Sequence, residues 1–146
     1  MLDLPHELTD NALRDRLFAE CVIRTEAEFT DKTIRYKRLI IVTNDIKKPV
    51  LSVTTTSKTP SRSYYFKNNI YVPANKESMF EKNTYIQLHR LFECPIEKLQ
   101  IAYNKRKLDV LGEISKVLLD DIYISIEISE LIESKHIKRI LSERKL

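Results

Sequence analysis

KRLIIVTNDIKKPVLSVTTTSK, from Lys37 to Lys58, decides the fold. It holds two β-branched aliphatic runs. The first, KRLIIVTND, closes on Asn44-Asp45, a turn signal, and Lys47, Lys48 and Pro49 complete the connection. The second, VLSVTTTSK, starts at Val50 and ends in hydroxyls and a cation. Two antiparallel strands joined by a short turn follow from this pattern.

Working outward toward the N-terminus, Thr30 to Tyr36 is polar and basic and reads as a loop. Cys21 to Phe29 alternates and reads as a strand, with a continued helix as the alternative. Leu13, Leu17 and Phe18 form the apolar stripe of a first helix that Thr9 or Asp10 can cap. Toward the C-terminus, Thr59 to Ser63 is a loop and Tyr64 to Val72 a strand. A loop follows from Pro73 to Glu81, and Thr84 to Phe92 is a further strand. Pro95 suits the first position of a helix running to about Lys105. Leu108 to Leu111 is a short apolar piece ended by Gly112. In EISKVLLDDIYISIEISELI, Ile114, Leu118, Ile122 and Ile126 keep helical spacing, while Ile122, Ile124, Ile126 and Ile128 alternate as a strand would. The length without a breaker favours helix, and its isoleucines read as core. Lys135 to Lys145 is a last amphipathic segment.

The chain of 146 residues is most simply one domain with 42% hydrophobic residues, enough for an ordinary core. Residues 1–20 form a helical extension, 21–132 the sheet with its helices, and 133–146 a C-terminal helix. The fold class is α+β: a strongly bent antiparallel sheet with helices packed at its end. The acidic start MLDLPHELTD lacks the features of a signal peptide, and no apolar run could span a bilayer. Cys21 and Cys94 read as reduced, buried thiols, so a cytoplasmic location is expected.

Gly112 is the single glycine. Gly-rich phosphate loops and the GxSxG nucleophile elbow are therefore excluded. CxxC pairs are absent, and His6, His89 and His136 lack ligand spacing, so neither metal nor cofactor is expected. The net charge is +4, yet nine basic residues and one acid, Asp45, fall between Lys32 and Asn68. Cations, hydroxyls and the aromatics Tyr64, Tyr65 and Phe66 in one window suit a phosphate-bearing polymer such as RNA. A solvated basic face is the plain alternative.

The order of these motifs resembles the MazF/PemK family of toxin endoribonucleases. KRLIIVTND is similar to the family's second strand, usually Arg-Pro followed by aliphatics. LSVTTTSK is similar to the next strand, with its functional Thr-Thr or Thr-Ser. FEKNTYIQLHRLFECPIEKL and LGEIS resemble the later strands and the lead into a C-terminal helix. The resemblance spans roughly Val22 to Ile132. It implies an SH3-like small barrel, a homodimer, and single-stranded RNA as substrate. It also implies an acidic antitoxin protein as partner and no membrane association. Cleavage in that family needs no metal: the ribose 2′-hydroxyl attacks its own phosphate, leaving a 2′,3′-cyclic phosphate and a 5′-hydroxyl.

Carried over by position, the catalytic hydroxyl falls on Thr54, with Thr55 and Ser57 as near alternatives. The family's Arg falls on Lys37 and its Pro on Arg38. Lysine is a point charge where arginine offers a planar fork. Arg35, two residues back on the same strand face, is the natural helper. The expected catalytic set is Lys37, Thr54 and Arg35. The expected RNA contacts are Lys32, Arg38, Thr55, Ser57, Lys58, Arg62, Tyr64, Tyr65, His89 and Arg90. His89 reads first as a partly buried histidine bonded to backbone, with a general base as the alternative, and Arg90 as an RNA contact or a surface ion pair. The replacement of Arg by Lys also admits a non-catalytic RNA-binding relative with the same barrel.

Overall fold

The computed structural model of the protein describes residues 13–28, 34–58 and 69–144. Its strands are β1 (Cys21–Glu28), β2 (Ile34–Ile41), β3 (Val50–Thr56), β4 (Asn69–Val72), β5 (Thr84–Cys94) and β6 (Leu108–Glu113). Its helices are α1 (Ile96–Asn104), α2 (Lys116–Glu127) and α3 (Ser134–Glu143). Leu13 and Arg14 are helical and run into a turn; the cap expected at Thr9 or Asp10 lies outside the described residues. Every sheet pairing is antiparallel, in the order β4-β5-β3-β2-β1-β6. The chain is thus α+β, as its sequence implies. β4 and β6 are edges, and among the described residues no pairing joins them.

Alternation along the strands divides the core between two faces. Val22, Ile40, Leu51 and Val53 point to one face and pack with Leu118, Ile122, Ile126 and Ile140 of α2 and α3. Ile23, Leu39, Ile41 and Val50 point to the other and pack with Leu13, Leu17, Ile96 and Leu99. Each such aliphatic side chain, fully buried, contributes about 1.5–3 kcal/mol. The sheet therefore carries α2 and α3 on one side, and α1 with the Leu13–Leu17 segment on the other.

Several boundaries differ from the sequence reading. β2 begins at Ile34, inside the segment expected to be a loop. Tyr36 and Lys37 pair with Glu26 and Thr25, so the ladder with β1 carries the strand past its aliphatic run. Only Asn69–Val72 of the strand expected from Tyr64 lies in the described residues. Pro95 is the N-cap of α1, with extended backbone, and Ile96 is the first helical residue. α2 settles the ambiguous isoleucine stretch as helix. Ser115 caps it by accepting from Leu118 N–H at 3.3 Å, and Glu77 anchors the cap by accepting from Ser115 Oγ at 3.0 Å. Ile122 and Ile126 are buried as expected, but Ile124 and Ile128 are 54% and 75% exposed on the outer side of the helix turn.

Two irregularities shape the sheet. On β5, Leu88 to Leu91 fall opposite the single residue Val53, because Ser52 pairs with Phe92 and Thr54 with Gln87. A bulge of that size bends the strand. On β6 the register slips between Val22 and Ile23, and Gly112 takes φ 142° there. Only glycine adopts that backbone without strain, which accounts for the one glycine in the chain.

The C-terminal helix is fastened to the β2–β3 turn. Glu143 Oε1 accepts from the backbone N–H groups of Asn44 (2.9 Å) and Asp45 (2.7 Å), and Oε2 accepts from Arg139 Nε at 2.7 Å. Asn44 Nδ2 in turn donates to the Glu143 carbonyl, and Asn44 Oδ1 accepts from Ala19 N–H. The Asn-Asp turn signal is thus also a docking point for α3. No helix among the described residues is long and apolar enough to cross a membrane.

Candidate functional site

Leu39 lies directly opposite Thr54, and Leu39 belongs to the core on the α1 side of the sheet. Cross-strand partners share a face, so Thr54 faces that side too. Lys37 and Thr56, each two residues further along, share the same face by alternation. Continuing the register from Leu39 and Thr54 sets Lys37 level with Thr56. Thr56 lies opposite Tyr85, and Tyr85 lies opposite Tyr71. A row of one hydroxyl and two aromatic rings thus crosses β3, β5 and β4, and Lys37 of β2 lines one cavity with Thr56 beyond the end of the β2–β3 pairing. The rings of Tyr71 and Tyr85 are 5.2 Å apart at 42°, and Tyr71 is 49% exposed. The next row, Leu39, Thr54, Gln87 and Asn69, sets two amides beside it.

Within these rows the two threonines differ. Thr54 is 1% exposed, and its hydroxyl donates to Gln87 Oε1 at 2.6 Å. Thr56 is only partly buried, and its Oγ1 accepts from Lys58 N–H at 3.2 Å. Lys37 stands diagonal to Thr54, about 7–8 Å away for such pairs, and level with Thr56. The hydroxyl best presented beside the cation is therefore that of Thr56. The positional carry-over onto Thr54 selects its buried neighbour.

The strand ends form an open cavity of about 310 Å³. Lys37, Arg38 and Lys58 supply three cations to its lining, and among the described residues no acidic one lines it. Thr55, Thr56, Ser57 and Thr84 supply hydroxyls, and Tyr36 an aromatic ring. Thr55 is buried, and its hydroxyl donates to the Arg38 carbonyl at 3.4 Å. Arg38 and Tyr36 point away from the Lys37 face, and the Arg24 guanidinium lies 5.1 Å above the Tyr36 ring. Ser57 and Lys58 are exposed at the end of β3.

His89 is half-buried in the β5 bulge, outside the Lys37 row. Arg35 and Arg90 lie in strands, but their side chains fall outside the described residues. Lys32, Arg62, Tyr64 and Tyr65 fall outside them entirely. The sequence reading missed Tyr71, Tyr85 and Gln87. Their signal was the alternation itself: Asn69 and Tyr71, and Tyr85 and Gln87, occupy alternate positions that pair across β4 and β5.

Among the described residues no three His, Cys, Asp or Glu side chains come together as a metal site requires. Both cysteines are free. Burial pushes the Cys21 thiol up to about 11, with Arg16 opposing and Glu113 adding to the rise. Burial likewise raises Cys94, against the pull of Lys98. Neither thiol is a ready nucleophile. No protein-family model matches the chain, and no curated protein matches it.

Proposed function

We propose that this protein is a metal-independent endoribonuclease that binds single-stranded RNA across the Lys37 face, as the toxin of a toxin–antitoxin pair. The observation that carries the reading is the row Thr56, Tyr85 and Tyr71 across β3, β5 and β4, with Lys37 lining one cavity with Thr56. Unpaired bases stack on aromatic rings while cations track the phosphates, which is how single strands are held without a duplex. Lys37 neutralises charge on the scissile phosphate, and the Thr56 hydroxyl donates to a phosphate oxygen. A positioned donor of this kind is worth ~3 kcal/mol in the transition state. The attacking group is the ribose 2′-hydroxyl of the RNA itself. In this reading the β5 bulge bends the sheet into an SH3-like small barrel, the active form is a homodimer, and an acidic antitoxin occupies the same cationic face.

A second reading has its own support. Thr54 is locked to Gln87, and lysine stands where the resembled family has arginine. Both suit a protein that binds RNA on this face without cutting it. Incubation of purified protein with mixed-sequence single-stranded RNA in EDTA separates the two. Fragments with 5′-hydroxyl ends, suppressed by Thr56→Ala, support the nuclease. Binding without fragments supports the second reading.

A further inference from the structure

A second cavity, of about 220 Å³, opens at the turn end of the β2–β3 hairpin; Lys37 and Thr56 lie at the other end. Phe18 and Glu20 wall it ahead of β1, Asn44 from the turn, and Leu119 and Tyr123 from α2. Backbone bonds fix Glu20 in place at φ 89°. Its N–H donates to the Ile41 carbonyl at 3.2 Å, and its own carbonyl accepts from Ile114 N–H at 2.9 Å. Asn44 is already engaged, since its amide bonds both Ala19 and Glu143.

Two polar groups at the cavity are left over. Tyr123 is 1% exposed, yet no described residue hydrogen-bonds its hydroxyl. Glu20 has no ion pair among the described residues. The other charges near the Tyr123 hydroxyl are accounted for. Glu143 pairs with Arg139, and Asp120 pairs with Arg144, whose guanidinium lies 4.8 Å from the Tyr123 ring centroid. Burial raises the Tyr123 hydroxyl, with Arg144 opposing and Glu20, Asp120 and Glu143 adding to the rise, so the phenol is neutral at pH 7. Glu113 also borders the cavity, but it lies opposite Cys21, which belongs to the core on the α1 side. Its side chain points to that side, and its charge is not counted here.

One uncompensated carboxylate thus stands with one buried, unbonded hydroxyl against the apolar surfaces of Phe18 and Leu119. Among the described residues no basic side chain lines the cavity. A hydroxyl in this position is costly to leave without a partner. Glu20 repels an anion, and a metal ion finds no three ligands together among the described residues. A compact cation that brings its own N–H donors and some apolar surface satisfies both groups. We propose that this cavity binds a primary alkylammonium group. Its N–H groups donate to the Glu20 carboxylate and to the Tyr123 hydroxyl oxygen, and its methylenes lie against Phe18 and Leu119. A free amine and a protein lysine both present that chemistry. The site is separate from the Lys37 face and does not rest on the RNA-binding reading.

Titration of the ¹⁵N-labelled protein with n-butylammonium, with neutral butan-1-ol, and with the peptide acetyl-Ala-Ala-Lys-Ala-Ala-amide tests it. Butylammonium should move the amide signals of Glu20 and Tyr123, and butanol should not. Binding of the peptide as tight as that of butylammonium identifies a protein lysine as the ligand; binding of butylammonium alone identifies a free amine. Tyr123→Phe should weaken butylammonium binding about tenfold, the scale of one hydrogen bond to a charged group. Its thermal midpoint should match wild type, because the hydroxyl bonds no described residue in the unliganded protein. Glu20→Gln should weaken binding by at least as much and supplies the test independently of Tyr123. Equal binding of butanol and butylammonium, binding unchanged in both variants, or shifts that leave Glu20 and Tyr123 unmoved would each overturn the proposal.

Discussion

The Thr54 hydroxyl donates to Gln87 Oε1 at 2.6 Å across the β3–β5 pairing, and this bond separates two threonines that look alike in sequence. Thr54 is consumed by the fold, whereas Thr56, two residues on, lines one cavity with Lys37. Truncating each should therefore have a different consequence. Thr54→Val leaves Gln87 without its donor and should lower stability by about 1–2 kcal/mol in denaturant melts. Thr56→Ala should leave the midpoint within about 0.5 kcal/mol of wild type but reduce RNA cleavage roughly 100-fold. The reverse assignment, with a stable but inactive Thr54→Val, would return the catalytic role to Thr54.

Glu143 gives the protein an acid-sensitive clasp. Burial raises its carboxyl, but the hydrogen bonds from Arg139 and from the Asp45 and Asn44 backbone outweigh this and hold it below 4.5. A carboxyl depressed in the folded state contributes stability that is present above its unfolded value and lost as pH falls through the folded one. Stability should thus decline as pH drops below about 4.5, and Glu143→Gln should flatten that part of the profile. At pH 7 the same variant should be less stable by about 1–3 kcal/mol, because a charge-assisted bond to a largely buried arginine is lost. Thermal melts from pH 3 to 7 on both proteins measure this.

Gly112 sits at φ 142° in the β1–β6 irregularity. The nearest atom to an added Cβ would be Met79 Cε at 3.4 Å, so space is adequate and the backbone decides. Gly112→Ala should cost about 1–3 kcal/mol, read from urea unfolding.

The basic cavity should make RNA binding salt-dependent. With Lys37 and Lys58 each neutralising one phosphate, the log–log slope for a single strand is roughly −1.4. Lys58→Ala should make that slope shallower by about 0.7 and weaken all sequences alike. An unchanged slope would remove Lys58 from the interface.

Much of the fold was legible because alternation and turn chemistry agreed. Leu39 to Val42, Val50 to Val53 and the Asn44-Asp45 turn were sufficient for the central hairpin. The length of the unbroken run after Gly112 favoured helix for α2, while the Ser115 cap was not read from the sequence. What was illegible came from pairing. Nothing local marks Ile34 to Tyr36 as strand; β1 imposes it. Nothing local separates Thr54 from Thr56 either, since the difference lies in Gln87, 33 residues away in sequence. Tyr71 and Tyr85 meet only because β4 and β5 are neighbours, and consecutive aromatics elsewhere gave the louder signal. That cations and hydroxyls would share one sheet was visible in sequence; their register was not.

The central claim is that single-stranded RNA lies across Lys37, Thr56, Tyr85 and Tyr71. Its most direct test is fluorescence anisotropy with a labelled 2′-O-methyl RNA, which lacks the attacking hydroxyl and so reports binding alone. The expected result is salt-dependent binding of the single strand that weakens about tenfold or more in Tyr85→Leu and again in Lys37→Ala, with little binding of a duplex. Equal binding by wild type and both variants, or none by the wild type, would contradict it.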